Sequence, residues 1–136
     1  MYNILLAAAI CVSCQELSST LREGNRACLG EEVVFTCTVN DSSSLRDLFI
    51  AWSSDEYIGP GAFLQFTTND IRGANDTSMI SGNVTATLTR NTNESGVRVL
   101  ESVLRIVAAQ ASVVTCNVIN RAPVSTEFFI SGKYMH

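Results

Sequence analysis

The 136-residue sequence contains a single histidine, and that residue is the C-terminal His136. Ser-His and Cys-His activation of a nucleophile both require an imidazole beside the nucleophile, so the body of the chain lacks this chemistry. The adjacent acids Asp55 and Glu56 lie in a turn-like segment, where carboxylates are normally solvated and do not act as general acid and base. We therefore expect no enzymatic activity and assign no catalytic residue.

Positive charge is also scarce. Nine Lys and Arg stand against thirteen Asp and Glu, for a formal net charge of −4 at pH 7, and no basic block interrupts the chain. Proteins that bind nucleic acid or anionic membrane surfaces cluster their basic residues, so neither is expected as a partner. The glycines are scattered through predicted turns and form no phosphate-binding loop, and the sequence predicts no cofactor.

A long hydrophobic run is missing as well. The apolar, uncharged stretch ILLAAAICV at 4–12 has nine residues, whereas a membrane-spanning helix needs about twenty. Its length, and the abrupt start of polar sequence at Gln15, are typical of a secretory signal peptide, although the preceding MYN carries no Lys or Arg. The small residues Val12 and Cys14 place the predicted cleavage before Gln15. The protein is therefore expected to be secreted, with 1–14 as the signal peptide and no membrane span.

Cys11 and Cys14 have the Cys-x-x-C spacing of a redox or zinc site. A thioredoxin-type dithiol follows a strand and begins a helix, but here an apolar targeting segment precedes the motif. A zinc site would need two further ligands at compatible spacing, but the only histidine is the terminal His136. We interpret the pair as part of the removed peptide and predict no metal site. A small secreted thiol protein is the alternative if both cysteines remain in the mature chain.

The rest of the chain has the pattern of short strands. Runs of alternating or β-branched residues are separated by clusters of Gly, Asn, Asp and Ser. The predicted strands are 33–39, 48–54, 62–67, 83–89, 102–107, 112–119 and 126–131. Seven or more strands in about 110 residues predict an antiparallel sandwich or barrel.

Two cysteines, Cys37 and Cys116, lie on the predicted inward faces of their strands, and Trp52 is inward on a third strand. A secreted protein folds in an oxidising compartment, so the sequence predicts a Cys37–Cys116 disulfide. Closing a loop of about eighty residues stabilises the fold by roughly 4 kcal/mol in the chain-entropy model.

Cys37, Trp52 and Cys116, each within its own strand, resemble the B-strand Cys, C-strand Trp and F-strand Cys of the immunoglobulin superfamily. GEEVVFTC at 30–37 is similar to the family's entry into strand B, and ESVLRIV at 101–107 is similar to strand E. The wide separation of the cysteines leaves room for C′ and C″ strands, so the resemblance is to a variable-like domain. It implies an all-β, two-sheet antiparallel immunoglobulin-like β-sandwich.

The sequence also departs from that family. Variable domains usually have Asp, a small residue and Tyr before the second Cys, where this chain has Gln110, Ser112 and Val114. The expected tyrosine corner and Asp–Arg pair are therefore absent. The terminal FFISGKYMH lacks the Gly-x-Gly of antibody-type joining segments, so the chain does not resemble an antigen receptor.

The resemblance implies a secreted domain that binds another protein in adhesion or immune-type recognition. The expected organisation after the signal peptide is a lead-in at 15–23, the immunoglobulin-like domain at 24–132 and a short tail at 133–136. A truncated ectodomain of a single-pass membrane receptor is the alternative.

Four Asn-x-Ser/Thr sequons predict N-glycosylation in a secreted protein. They begin at Asn40, Asn75, Asn83 and Asn93. Asn83 falls on the polar side of a predicted strand and the others fall in predicted loops. The glycans would lie toward the D–E side of the sandwich and leave the other sheet barer.

On the barer sheet, alternation directs Phe49 and Ala51 outward on strand C, Ile119 outward on strand F and Phe129 outward on the last strand. Phe49, Ile119 and Phe129 are predicted to form an exposed apolar patch on the G-F-C face. Through this face, or through loops at 40–47 and 120–125, we expect a protein ligand or receptor, or a homo- or heterodimer partner.

Cys28 has no obvious partner once Cys37 and Cys116 are paired. It is predicted to form an interchain disulfide, to pair with Cys14 if cleavage occurs earlier, or to remain a buried free thiol.

Overall fold

The computed structural model describes residues 15–41, 49–67, 77–92, 98–118 and 121–133. Regular structure in these ranges is entirely β, and no helix occurs within them. The ten strands are β1 (Gln15–Ser19), β2 (Arg26–Leu29), β3 (Glu32–Asp41), β4 (Ile50–Ser53), β5 (Leu64–Phe66), β6 (Thr77–Ser81), β7 (Val84–Thr92), β8 (Arg98–Val107), β9 (Ser112–Val118) and β10 (Val124–Lys133).

The strands form two five-stranded sheets that face each other across the core. Sheet 1 has the order β1-β3-β8-β7-β6, and sheet 2 has the order β2-β10-β9-β4-β5. All neighbouring strands are antiparallel except β2 and β10, which are parallel. The predicted all-β sandwich is confirmed.

The core follows from the period-two alternation of the sequence. In β3, Val33, Phe35, Cys37 and Val39 are buried while the residues between them are only partly covered. The largest fully buried side chains include Phe35, Trp52, Phe66 and Phe128. Burial of each of these aromatic side chains stabilises the fold by roughly 2–3 kcal/mol relative to exposure.

A disulfide joins the two sheets. Cys37 in β3 is bonded to Cys116 in β9, as predicted, across a sequence separation of 79 residues. Trp52 in β4 is the register partner of Cys116 and is fully buried. Its Nε1 donates a hydrogen bond of 2.8 Å to Oγ of the buried Ser102 in sheet 1. The indole therefore links the sheets by a polar contact beside the covalent one.

The segment expected as a lead-in, 15–23, belongs to the sandwich. β1 pairs along β3, with Gln15 opposite Val39. The chain then turns through a tight corner in which Gly24 and Asn25 have positive φ angles of 78° and 56°. Beyond this corner β2 joins the opposite sheet beside β10. The first part of the sandwich is thus divided between the two sheets.

Two strand positions refine the variable-like expectation. β5 extends sheet 2 beyond β4, where a C′ strand is expected, whereas β6 pairs with β7 in sheet 1. β6 and β7 are joined by the two-residue turn Gly82-Asn83, so Asn83 lies in a turn and not on the predicted strand. Gly82 has φ 61°, as the first position of a type II′ hairpin turn requires. The strand order, the inter-sheet disulfide and the buried Trp52 define an immunoglobulin-like β-sandwich.

Candidate binding face

The buried residues of sheet 2 identify which of its side chains face outward. Trp52, Cys116 and Phe128 are fully buried between the sheets. Their neighbours in sequence therefore point away from the core. The outward side chains on the three central strands are Phe49, Ala51, Ser53, Val113, Thr115, Asn117, Ser125, Glu127 and Phe129.

One end of this face carries two exposed apolar residues. Phe129 follows the buried Phe128 and is 47% exposed, and Val113 is 43% exposed. Glu127 pairs directly with Val113, so Phe129, two residues along the same strand, is the diagonal neighbour of Val113. Arg26 on β2 is the register partner of Phe129. These four residues, Arg26, Val113, Glu127 and Phe129, are called the Phe129 patch below.

The structure does not bring Phe49 to the Phe129 patch. Phe49 is half-buried and immediately precedes Ile50, which pairs with Val118. At the other end of β9, Ser112 pairs with Phe128. The seven residues from Ser112 to Val118 span about 20 Å of strand, so the two phenylalanines lie at opposite ends of the sheet.

The expectation of one patch formed by Phe49, Ile119 and Phe129 is therefore wrong for its two described members. Alternation along each strand identifies the face correctly but gives no position along the sheet, which depends on the register between strands. Ile119 lies outside the described residues, as do most of the loop residues at 40–47 and the adjoining Asn120.

The middle of the face is polar. The hydroxyls of Thr115 and Ser125, on adjacent strands, are 2.8 Å apart and hydrogen-bonded. Ala51 faces outward, as alternation predicts, but is only 2% exposed, because its small side chain lies between Asn117 and Gln65 of the neighbouring strands. On the far edge Phe63, which precedes β5, is 54% exposed. A band of small polar groups thus separates the apolar ends.

Tyr57 supplies a contact that sequence reasoning missed. Its hydroxyl accepts hydrogen bonds from the backbone N–H groups of Ala109 (2.9 Å) and Gln110 (3.0 Å) and donates one to the carbonyl oxygen of Gln110 (2.6 Å). The corner between β8 and β9 is therefore held by a tyrosine from the connection after β4. This arrangement takes the place of the tyrosine corner that Val114 excludes.

Glu56 has a structural contact beside that corner. Its carboxylate accepts a 2.6 Å hydrogen bond from the hydroxyl of Ser112, which is also 2.7 Å from the hydroxyl of Ser54. Both serines are buried, whereas Glu56 and Asp55 are exposed. The serine pair thus has its hydrogen-bonding capacity satisfied near the sandwich surface.

The sequons that the structure describes lie on sheet 1. Asn83 is exposed in the β6–β7 turn, and the backbone of Asn40 belongs to β3. Asn75 and Asn93 lie outside the described residues. In the described ranges, the sequon asparagines are therefore absent from sheet 2.

Cys28 is a free, half-buried thiol on the edge strand β2. Its backbone N–H donates a 2.8 Å hydrogen bond to the carboxylate of Glu31, which also forms a 2.9 Å ion pair with Arg22. The hydrogen bond from the Cys28 N–H is the main cause that lowers the pKa of Glu31. Partial burial opposes the shift, and the neighbouring Arg22 guanidinium adds to it. Cys11 and Cys14 lie outside the described residues, so the thiol-protein alternative and the pairing of Cys28 with Cys14 or with another chain stay predictions.

The described part of the chain holds no cluster of three or more His, Cys, Asp or Glu side chains able to bind a metal ion. In the same ranges, no helix has the length and hydropathy needed to cross a bilayer.

Comparison with known proteins gives a structural likeness only. No protein-family model matches the chain, and no curated protein matches its sequence. Among solved structures, it is similar to the crystal structure of the human B7-H4 IgV-like domain, at 12% sequence identity and a TM-score of 0.41. The alignment covers 88% of this chain and 98% of that one. The immunoglobulin-like fold is therefore assigned here from the strand order, Trp52 and the Cys37–Cys116 bridge.

Proposed function

We propose that this protein is a secreted, non-catalytic binding module that recognises another protein through the outer face of sheet 2. The observation that carries the proposal is the Phe129 patch, in which the exposed Val113 and Phe129 are diagonal neighbours, with Glu127 paired to Val113 and Arg26 paired to Phe129. The patch lies on three neighbouring strands, β2, β10 and β9, so its geometry is set by the sheet.

The composition of the patch suits a protein interface. Aromatic residues and arginine are enriched among the residues that dominate binding energy, and a charged rim around an apolar centre is typical of interfaces. Phe129 is the proposed anchor. Arg26 and Glu127 carry opposite charges and would select a partner with complementary groups.

The polar band on the same face supports a protein partner. Thr115, Asn117 and Ser125 offer hydroxyl and amide groups on a broad sheet surface. The described sequons lie on sheet 1, so glycans there would leave this face accessible to a macromolecule.

Secretion is part of the proposal. A signal peptide at 1–14 would direct the chain to an oxidising compartment, where the Cys37–Cys116 disulfide is stable. The binding domain would then begin with β1, and Cys28 on the edge of sheet 2 would be available for an interchain bridge.

A binding screen with a matched pair of variants tests the proposal. The protein, secreted from eukaryotic cells and multimerised on a scaffold, is screened against an array of purified extracellular proteins that includes the protein itself. Phe129→Ser and Ile80→Ser are compared with wild type, because Ile80 is an exposed apolar residue on sheet 1. We expect a bound partner whose affinity falls at least tenfold with Phe129→Ser and changes little with Ile80→Ser. Equal loss with both variants, or none with either, would contradict the assigned face.

A further inference from the structure

A cleft of about 300 Å³ lies between the β6–β7 turn of sheet 1, the corner between β8 and β9, and the connection after β4. Its lining includes Glu56, Tyr57, Asn83, Val107 and Gln110. We propose that Asn83 is an N-glycosylation site whose first N-acetylglucosamine packs into this cleft as a structural cover. The inference rests on the proposed secretion of the chain but not on the proposed partner-binding face.

Asn83 is presented for modification. It is the second central residue of the Gly82-Asn83 hairpin turn and is exposed. Thr85, the sequon hydroxyl residue, is half-exposed on the outer side of β7, because Val84 and Ala86 point into the core. Both side chains that the modifying enzyme must recognise are therefore on the surface.

Two exposed apolar residues flank Asn83. Ile80 is 75% exposed and pairs with Thr85 across the hairpin. Val107 is 47% exposed and lines the cleft together with Asn83. It lies in β8, two residues after Arg105, which pairs with Thr85 on the other side of β7. Since exposed apolar surface is unfavourable in water, a tethered group with C–H faces would be stabilised here. The pyranose ring and acetyl methyl of N-acetylglucosamine are such groups.

The opposite wall of the cleft offers rigid and polar contacts. The ring of Tyr57 is fixed by the three hydrogen bonds that its hydroxyl makes with Ala109 and Gln110. A wall that is already ordered loses little conformational entropy when a sugar packs on it. The exposed side chains of Glu56 and Gln110 supply hydrogen-bonding groups for the sugar hydroxyls and acetamide.

The test uses the protein secreted from mammalian cells. Glycopeptide mapping measures the occupancy of Asn83, and hydrogen exchange measures the peptide that contains Ala109 and Gln110. Thr85→Val removes the sequon and leaves Asn83 in place, while Thr87→Val, on the same strand and face, is the matched control. We expect an occupied Asn83. Thr85→Val is expected to speed exchange at the β8–β9 corner several-fold and lower Tm by about 3 °C, with no such change for Thr87→Val.

Enzymatic trimming of the folded wild-type protein avoids dependence on a substitution. Trimming to a single N-acetylglucosamine is expected to preserve slow hydrogen exchange in the peptide that contains Ala109 and Gln110. Complete removal of the glycan is expected to speed exchange in that peptide. An unoccupied Asn83 overturns the inference. So does an occupied Asn83 whose removal leaves both exchange and Tm unchanged, because the glycan would then project into solvent. Either failure leaves the partner-binding result for Phe129→Ser unaffected.

Discussion

The hydroxyl of Tyr57 lies 2.6 Å from the carbonyl oxygen of Gln110, 53 residues away in the sequence. The hydroxyl oxygen of Tyr57 also accepts hydrogen bonds from two successive backbone N–H groups, those of Ala109 and Gln110. The Tyr57 ring also packs 5.8 Å from the ring of Phe128 in the core, measured between centroids. One side chain thus connects the core, the connection after β4 and the corner between the sheets.

Replacement of Tyr57 by Phe removes the hydroxyl while keeping the ring. We expect a loss of about 1–2 kcal/mol in the free energy of unfolding, because one carbonyl and two N–H groups lose a partner and water replaces it only in part. Chemical denaturation measures the loss. The control is Ser125→Ala, which removes an exposed side-chain hydrogen bond and should cost less than about 0.5 kcal/mol. Equal effects of the two variants would contradict the role of Tyr57.

Replacement of Ser102 by Ala tests the polar link through the core. Ser102 accepts a hydrogen bond from Trp52 Nε1 and donates a 2.7 Å bond to the carbonyl oxygen of Thr87, and it is completely buried. The indole N–H would be left buried without a partner, so we expect a loss of about 1–3 kcal/mol.

A double-mutant cycle separates this link from simple packing. Trp52→Phe also removes the indole donor, so adding Ser102→Ala to it should cost less than Ser102→Ala alone. Strictly additive losses, measured by denaturation followed by circular dichroism, would show that the Trp52–Ser102 hydrogen bond contributes nothing to stability.

Replacement of Gln15 tests the anchoring of β1. Its Nε2 donates a 2.9 Å hydrogen bond to the carbonyl oxygen of Cys116 in the opposite sheet. Gln15→Ala should cost about 1 kcal/mol. Gln15→Glu should cost at least as much, since an ionised carboxylate has no hydrogen to donate. Glu16→Ala, at the adjacent exposed position, is the control and should be close to neutral in a denaturation series.

The lowered pKa of Glu31 predicts a pH-dependent contribution to stability. The hydrogen bond from the Cys28 N–H favours the ionised carboxylate, so its pKa in the folded state lies below the ordinary value of 4.5. The contribution is therefore fully present above pH 4.5 and is lost as the pH falls through the folded-state pKa. Since Arg22 is half-exposed, we expect less than about 1 kcal/mol at pH 7.

The measurement compares the unfolding free energies of wild type and Glu31→Gln from pH 7 to pH 3. The difference should shrink below pH 4.5, because a protonated glutamate resembles glutamine. Glu32→Gln is the control, since its 3.6 Å ion pair with Arg105 has both side chains largely in solvent. A constant Glu31 difference across the range would contradict this assignment.

The alternating strands were predictable because the period-two alternation of apolar and polar residues in the sequence matches their burial in the structure. Val33, Phe35, Cys37 and Val39 are inward as the period of two requires, and the disulfide follows from the cysteines that share such faces. β1, β2 and β6 were not recognised. β2 has only four residues and buries only Ala27, and the short edge strand β6 directs Ile80 outward.

The candidate sites show which features a local sequence pattern does not predict. Phe49 and Phe129 were assigned to the correct face but not to their positions along it, because register between strands is set by long-range pairing. Val114 correctly indicated a missing tyrosine corner. The replacement by Tyr57 could not be read from spacing, since it joins segments more than fifty residues apart. The only signal was a single tyrosine within a turn.

The parallel pairing of β2 with β10 has a mechanical consequence. β2 is close to the N-terminus and β10 is the last strand, and the two strands run in the same direction. A force that pulls the two termini apart would slide these strands past each other, so that their hydrogen bonds resist together and do not open one at a time. Tension would reach β2 only after acting on β1 and on the tight corner at Gly24-Asn25. The Cys37–Cys116 bridge lies outside the β2–β10 contact and would limit how far the chain extends after these strands separate.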